Sequence, residues 1–207
     1  MNTRFHSHRF HRLFFSIVIL SFLFSCSINK KVEINQPIIV KGIEKIPLRA
    51  GIYLNQEFRN FVKTNRIGDV VIYMGESLSK GAEEIVDKAF REVVILHTKD
   101  LGLMPKEVQV LILPEIEKIY GGVQGEIVAG WKDIVLVRIK WTIMDRNGKI
   151  LYMNTFASEA EYKRKQFTSG STRVTWICEA YAKAIENNLQ EAFVSITSTR
   201  WWHSIKE

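Results

Sequence analysis

The sequence predicts one α+β domain, with a mainly antiparallel sheet and two amphipathic helices packed on one face, behind an N-terminal export segment. A strand with strict alternation and a hairpin signal lie in the middle of the chain. A stretch with helical spacing of apolar residues lies on each side of them. We place the boundaries at residues 1–25 for a lipoprotein signal peptide, 26–47 for a lipidated N-terminus and tether, and 48–207 for the domain.

The N-terminal segment has the layout of a bacterial secretion signal. Arg4, Arg9 and Arg12 precede a mainly apolar run over residues 13–24. As a helix, this run would span roughly 18 Å at about 1.5 Å per residue, whereas the hydrocarbon core of a bilayer is roughly 30 Å thick. Cleavage is therefore predicted, and the alternatives are an uncleaved anchor or a buried core helix.

The end of the apolar run, Leu23-Phe24-Ser25-Cys26, resembles the lipobox of bacterial lipoproteins. In that family the cysteine is acylated, palmitate being a typical chain, and becomes the first residue of the mature protein. More than one acyl chain gives stable membrane attachment at about 0.8 kcal/mol per buried methylene. Ser27 follows the cysteine, and the absence of aspartate there favours the outer membrane over the inner one in enteric bacteria. The resemblance implies a lipid-anchored, periplasm-facing protein of the cell envelope.

Charge and cysteine content narrow the possible partners. The formal net charge is +7, but the export segment contains three arginines and no acidic residue, so the mature chain carries about +4. Mild positive charge suits anionic lipid surfaces, and no dense basic block predicts nucleic-acid binding. If Cys26 is acylated, Cys178 has no partner for a disulfide, and its place in an apolar helical face predicts a buried thiol.

The first half of the domain contains two predicted strands and a helix. Residues 48–54 and 70–73 are short apolar runs typical of strands, and residues 37–40 of the tether could add an edge strand. Ser77 is the expected N-cap of the helix. Apolar residues then recur at spacings of three and four, which predicts one buried face. They are Leu78, Ala82, Ile85, Val86, Ala89, Phe90 and Val93.

The second half begins with a strand in which Val108, Val110 and Ile112 alternate before Pro114. A loose stretch is predicted next from Gly121, Gly122, Gly125 and Gly130. Residues 134–144 form the clearest strand, because every second side chain is apolar. The apolar set is Val135, Val137, Ile139, Trp141 and Ile143.

A hairpin and a long helix complete the predicted fold. Asp145-Arg146-Asn147-Gly148 is a strong turn signal, because Asn-Gly tolerates positive φ at both turn positions. The return strand is predicted over residues 149–162. A helix then opens at Gly170, and its apolar residues trace one face. They are Val174, Ile177, Cys178, Tyr181, Ala184, Ile185, Leu189, Ala192, Phe193 and Ile196.

A search for catalytic constellations finds none of the usual nucleophile, metalloprotease or phosphate-loop motifs. Only His97 and His203 follow the export segment, which nearly excludes a mechanism that needs a cluster of histidines. Glu115 and Glu117 are interpreted as the solvated face of a strand, and Gly75-Glu76-Ser77-Leu78 as a turn with a helix cap. We therefore expect no enzyme activity, no cofactor and no metal, although an envelope hydrolase stays a minor alternative.

Two basic or aromatic stretches could contact a membrane or a partner. Lys163-Arg164-Lys165 is interpreted as a solvated loop, with a lipid-headgroup contact as the alternative. Arg200, Trp201 and Trp202 either cover the open end of the core or form a membrane-interface or partner contact, because tryptophan suits places that are half apolar and half wet.

The lipobox, the strand Gly-Ile-Tyr-Leu, the helix start Gly-Glu-Ser-Leu and the final strand–turn–strand–helix order together resemble small periplasmic lipoproteins. Among them, the chain most resembles the YajG-like lipoproteins and then the ABC-transport auxiliary lipoproteins. This resemblance implies an accessory subunit of an envelope transport or assembly complex that acts by binding. The alternative is a carrier of a small ligand or lipid, with a pocket lined by Trp141 and Phe156.

Overall fold

The computed structural model describes residues 28–34, 43–64, 70–126, 130–163 and 170–205. The predicted signal peptide, Cys26 and the alternative edge strand at residues 37–40 lie outside these ranges.

The described chain contains strands, helices and two short 3₁₀ turns, which confirms the predicted α+β class. The strands are β1 (Ile28–Lys31), β2 (Ile46–Tyr53), β3 (Val62–Thr64), β4 (Val70–Tyr73), β5 (Phe90–Leu96), β6 (Val110–Glu126), β7 (Gly130–Asp145) and β8 (Ile150–Lys163). The helices are α1 (Gln56–Arg59), α2 (Gly75–Ala89) and α3 (Gly170–Ser198), with 3₁₀ turns η1 (Leu101–Leu103) and η2 (Trp201–Ser204).

The strands are divided between two sheets, where the sequence predicted one. The larger sheet has five strands in the order β5-β2-β6-β7-β8, and β6, β7 and β8 form an antiparallel meander. In the same sheet, β2 pairs in parallel with both β5 and β6. The smaller sheet has the order β1-β4-β3, in which β1 is parallel and β3 antiparallel to β4. Most paired residues are antiparallel, as predicted.

Both long helices pack on the five-stranded sheet and contact each other. Helix α2 contacts β2 and β5, and α3 contacts β7 and β8. The alternating side chains of β7, including Trp141, are buried beneath α3, as their period predicted. Gly81 permits a close approach of the helices, since an added Cβ would lie 2.3 Å from the Leu189 side chain. The result is one core shared by both sheets.

The predicted end of the first helix is wrong. Helix α2 ends at Ala89, and Phe90 is already extended, with φ −113° and ψ 156°. Phe90 to Leu96 form β5, which pairs in parallel with β2. Phe90 and Val93 fit a helical period by coincidence, whereas the β-branched run after them favours a strand.

The predicted N-cap is also wrong. Met74 holds the N-cap position without a side-chain hydrogen bond, so Ser77 lies inside the first turn. The Ser77 hydroxyl instead donates to the carbonyl oxygen of Val32, just after β1. Ser77 therefore donates to a residue distant in the sequence instead of accepting a hydrogen bond from the local backbone, as an N-cap would.

The glycine-rich stretch is regular rather than loose. Strands β6 and β7 pair continuously from Val110 opposite Asp145 to Glu126 opposite Gly130, with one irregularity next to Ile116. Gly121 has a packing role, because an added Cβ would lie 2.1 Å from the Tyr181 hydroxyl oxygen.

Pro114 also lies within β6. The pairing of β2 with β6 stops at Ile112, so beyond that residue the described sheet has an open edge where a missing N–H is tolerated.

Part of the predicted tether belongs to the domain. Ile28 to Lys31 form β1, in register with Val70 to Tyr73 of β4. Val32 follows and is only 3% exposed within the shared core. A short edge strand with polar side chains has no periodic signal, which is why the sequence did not predict it.

The predicted hairpin is confirmed, with β7 ending at Asp145 and β8 beginning at Ile150. The Asp145 N–H donates to the Lys149 carbonyl oxygen at 2.9 Å, and the Gly148 N–H donates to the Asp145 carbonyl oxygen at 3.1 Å. The Asp145 carboxylate accepts the Asn147 and Lys149 N–H groups at 2.8 and 2.9 Å. Gly148 has φ 82°, a value that favours glycine.

Candidate functional site

A groove of about 450 Å³ lies between β1 and α3, and we call it the β1–α3 groove. It is lined by Lys30, Lys31, Glu33, Thr175, Cys178, Glu179, Ala182, Lys183 and Glu186. Its lining contains three lysines and three glutamates, so it carries no net charge. No motif in the sequence predicted it, because its two sides are about 150 residues apart in the chain.

Hydrogen bonds and an ion-pair network hold the β1 side of this groove. The Val32 N–H donates to the Tyr73 carbonyl oxygen at 3.0 Å, which continues the pairing of β1 with β4. Lys31 contacts the Glu76 carboxylate at 3.3 Å, and Lys80 contacts it at 2.8 Å. Hydrogen bonds and charge from Lys80 and Lys31 hold the pKa of Glu76 below its usual value. Strand β1 is thereby attached to the first turn of α2.

The floor of the groove includes the thiol of Cys178, which is buried as predicted. Burial raises the pKa of this thiol, and the nearby Glu179 carboxylate acts in the same direction, whereas Lys30 opposes them. A thiol with a raised pKa is protonated at neutral pH and is a poor nucleophile. Cys178 is therefore a packing residue in this groove.

Aromatic side chains surround the start of α3 at the same end of the domain. Trp176 stacks on Tyr162 of β8, with ring centroids 4.7 Å apart, and both side chains are partly exposed. One turn further along, Tyr181 is buried against Gly121 of β6. Burial raises the pKa of Tyr181 strongly, so its hydroxyl is neutral at physiological pH.

A second groove of about 470 Å³ lies between β8 and the later turns of α3, and we call it the β8–α3 groove. It is lined by Phe156, Gln190, Glu191, Val194, Ser195 and Ser198. Phe156 was predicted to line a pocket together with Trp141. Trp141 is fully buried in the core, so the structure places these two side chains in different environments.

The tryptophan pair is divided between core and surface. Trp201 is only 8% exposed, packs against Phe90 with ring centroids 6.1 Å apart, and donates its indole N–H to the Ile196 carbonyl oxygen at 3.1 Å. It therefore covers this end of the core. Trp202 packs edge-on against Trp201 and keeps part of its surface in solvent, and Arg200 is exposed. Contact with a partner or membrane stays a prediction for Trp202 and Arg200.

The other polar candidates are held in surface interactions. Glu115 pairs with Lys140 at 3.2 Å, and Glu117 accepts a hydrogen bond from the Thr155 hydroxyl at 3.2 Å. Both glutamates are exposed, as expected of a solvated strand face. Lys163 is the last residue of β8, and the other two members of its basic run lie outside the described residues.

Asn188 is a buried polar residue that the sequence analysis missed. It lies on the apolar face of α3, where its amide donates to the carbonyl oxygens of Val137 at 3.2 Å and Phe156 at 2.7 Å. It therefore links α3 to neighbouring strands of the meander. Its position between Ile185 and Leu189 in the apolar period was the available signal.

Within the described ranges, no group of three histidine, cysteine, aspartate or glutamate side chains is arranged to hold a metal ion. None of the helices in these ranges combines the length and the apolar character that a membrane span needs.

Comparison with known proteins shows a likeness of fold. Neither a protein-family model nor a curated protein matches the sequence. The crystal structure of a minor lipoprotein from Acinetobacter baumannii matches 76% of this chain and 96% of its own, with a TM-score of 0.51 and 9% identity. A protein from Xanthomonas campestris assigned to DUF330 matches 86% of this chain and 96% of its own, with a TM-score of 0.53 and 6% identity. The chain therefore has a bacterial lipoprotein-like fold.

Proposed function

We propose that this chain is a cell-envelope lipoprotein, anchored through acylated Cys26, that acts by binding as an accessory subunit of an envelope transport or assembly complex. The observation that carries the proposal is the lipobox cysteine placed two residues before β1, in a domain with a lipoprotein-like fold. An acyl anchor at this position would hold the domain at the membrane and leave its surfaces away from the membrane available for contacts with other proteins.

The proposed role is binding alone, without catalysis of a reaction. It assigns no catalytic residue, cofactor or metal to the chain, and no nucleic acid as partner. The partly exposed Trp202 and the exposed Arg200, next to the buried Trp201, offer an aromatic and cationic pair of the kind enriched at protein interfaces. Strand β8, at the edge of the described five-stranded sheet, offers a second contact surface.

The proposed location is the outer membrane, with the domain facing the periplasm. Ser27 after the cysteine supports the outer over the inner membrane by the sorting preference of enteric bacteria. Fractionation of the two membranes, followed by detection of the acylated chain, tests this part independently of any partner.

The test of anchoring and partnership uses the full-length chain in cells fed an alkyne-bearing fatty acid. We expect label on the intact chain and on Cys178→Ala, which keeps the lipobox, but not on Cys26→Ala. Mass spectrometry should find an acylated Cys26 as the first residue. Label that persists in Cys26→Ala would overturn the proposed anchor.

Crosslinking in the same cells tests the accessory role. A subunit of an envelope transport or assembly complex should be captured by the intact chain, and Trp202→Ala or Arg200→Ala should reduce its yield. Capture that is equal for Cys26→Ala would show that the anchor is not needed. If the acylated chain captured only itself and bulk envelope proteins, the accessory role would be wrong.

A carrier of a small ligand or lipid is the second candidate, supported by the β8–α3 groove. Val194 at this groove is 48% exposed, which is a large apolar exposure, and Phe156 is partly exposed beside it. Organic extraction of the purified protein should then recover a bound lipid from the intact chain, and Val194→Glu should reduce its amount. Absence of any bound molecule from the intact chain would argue against the carrier.

A further inference from the structure

The β1 end of the domain has a fixed position relative to the proposed anchor. Only Ser27 separates Cys26 from Ile28, the first residue of β1. An extended chain advances about 3.3–3.6 Å per residue, so the Cα atoms of Cys26 and Ile28 are at most about 7 Å apart. The interfacial layer on each side of a bilayer is only about 5–8 Å thick. An acylated Cys26 would therefore hold Ile28 at or near the headgroups.

We infer that the end of the domain formed by β1 and the first turns of α3 lies directly against the phospholipid headgroups of the membrane that holds the anchor. The inference rests on the proposed acylation of Cys26 and adds an orientation of the domain to it. The contacting surface consists of Asn29 and Lys30 on β1 and Thr175 and Glu179 on α3, all exposed.

Strand β1 is too well attached to the domain to act as a flexible linker. It pairs with β4 over all four of its residues, and Val32 then enters the core. The Ser77 hydroxyl of α2 holds the Val32 carbonyl oxygen, and the Lys31 ammonium contacts Glu76. Moving the domain away from the membrane would require breaking these contacts together. The anchor therefore orients the domain as well as retaining it.

The chemistry of this end suits a headgroup layer. Trp176 and Tyr162 are stacked and only partly buried at the start of α3, and such aromatic side chains favour the membrane–water interface. The β1–α3 groove has as many lysines as glutamates, so it has no net charge to attract it to anionic lipid. We expect the orientation to be nearly independent of the anionic lipid fraction, because the short linker imposes it.

The opposite end of the domain would face water. From Gly121, which lies against Tyr181 of α3, strand β6 runs back to Val110 beside the hairpin. At about 3.4 Å per residue this strand places the hairpin about 37 Å from Gly121. Asn147 at the hairpin is exposed and is therefore a matched control position for Asn29.

The test uses the full-length acylated protein in vesicles of phosphatidylethanolamine and phosphatidylglycerol. In a Cys178→Ala background, Asn29→Cys and Asn147→Cys each carry a spin label, and mass spectrometry confirms acylation of Cys26. The measurement is the collision of the label with oxygen, which enters lipid, relative to a water-soluble nickel chelate. We expect a severalfold higher oxygen-to-nickel ratio at position 29 than at position 147.

A third site and a longer linker complete the design. Thr175→Cys reports on the same end through α3, in case a label on β1 disturbs the strand, and should match position 29. A flexible insert of about twelve glycine and serine residues after Ser27 has an r.m.s. span of about 20 Å. It should remove the difference between positions 29 and 147 while the protein stays on the vesicle.

The outcomes separate this inference from the proposed function. Equal, water-like ratios at positions 29, 175 and 147 in a confirmed acylated sample would overturn the orientation and leave the anchor intact. Absence of acylation would instead overturn the proposed function on which the inference rests. A high ratio at positions 29 and 175 that persists with the long linker would show intrinsic affinity for lipid and overturn the linker as its cause.

Discussion

The meander β6–β8 and the three-stranded sheet differ in the length of their strands and in the sequence distance between paired strands. The meander uses strands of 14 to 17 residues joined by short connections, so each strand pairs with its neighbour in sequence. The three-stranded sheet uses strands of three or four residues, and β1 pairs with β4 about 40 residues later. Both sheets share one core. The position of the proposed anchor therefore depends on the smaller sheet, in which β1 pairs with a strand far away in the sequence.

The largest expected loss of stability comes from the centre of the meander. Trp141→Ala removes a fully buried side chain and should lower the free energy of unfolding by about 3–5 kcal/mol, measured by urea denaturation. Trp141→Phe keeps most of the ring and should lose less than half as much. A loss below about 1 kcal/mol for Trp141→Ala would show that the meander core is not packed as described.

Gly75→Ala tests the junction between the three-stranded sheet and α2. An added Cβ would lie 2.1 Å from the Arg59 carbonyl oxygen and 2.6 Å from the Phe61 nitrogen, and both atoms belong to the backbone. We expect a loss of about 1–3 kcal/mol in the free energy of unfolding. Gly102→Ala is the control, because its nearest contact is a side-chain oxygen at 3.3 Å and its expected change is within about 0.5 kcal/mol. Equal effects would contradict the close approach at Gly75.

A pair of matched truncations tests whether the two sheets unfold together. Ile72→Val in β4 and Ile139→Val in β7 each remove one buried methylene and should cost about 0.5–1.5 kcal/mol with an unchanged urea dependence. Because the core is shared, amide exchange should become faster in both sheets together for either substitution. Faster exchange confined to β1, β3 and β4 in Ile72→Val would show that the smaller sheet opens separately.

The smallest effect concerns the attachment of β1 to α2. The pKa of Glu76 lies below its usual value because of Lys80 and Lys31, so these contacts stabilise the fold above the unfolded-state pKa and are lost as pH falls through the folded one. In an NMR titration, Lys80→Ala and Lys31→Ala should each raise the pKa of Glu76. A Glu76 titration unchanged by Lys31→Ala would mean that β1 does not contact α2 in solution.

The sequence predicted what local patterns encode. The alternation of β7 and the Asp145–Gly148 turn require only neighbouring residues, and the structure confirms both. The sequence assigns the first residues of β5 to the preceding helix because Phe90 and Val93 fit the helical period. Strand β1 was missed because its polar side chains carry no pattern, and its partner is far away in the chain.

The candidate site was less predictable than the fold. The β1–α3 groove brings Lys30 beside Cys178, and this proximity is a property of the packed fold alone. By contrast, the proposed acylation of Cys26 follows from a short local motif and does not depend on the fold. The burial of Trp201 depends on its contact with Phe90, which no local pattern reveals.

Helix α3 is the last long element of the described chain, and it contacts β1, α2, β7 and β8. A chain exported N-terminus first, with its lipid already in the bilayer, would leave the inner faces of β7 and β8 uncovered until residues 170–198 had crossed. Folding would then be completed late, beside a membrane that competes for the same apolar surfaces. In such a chain a premature stop before α3 would leave these apolar surfaces uncovered and open to proteases.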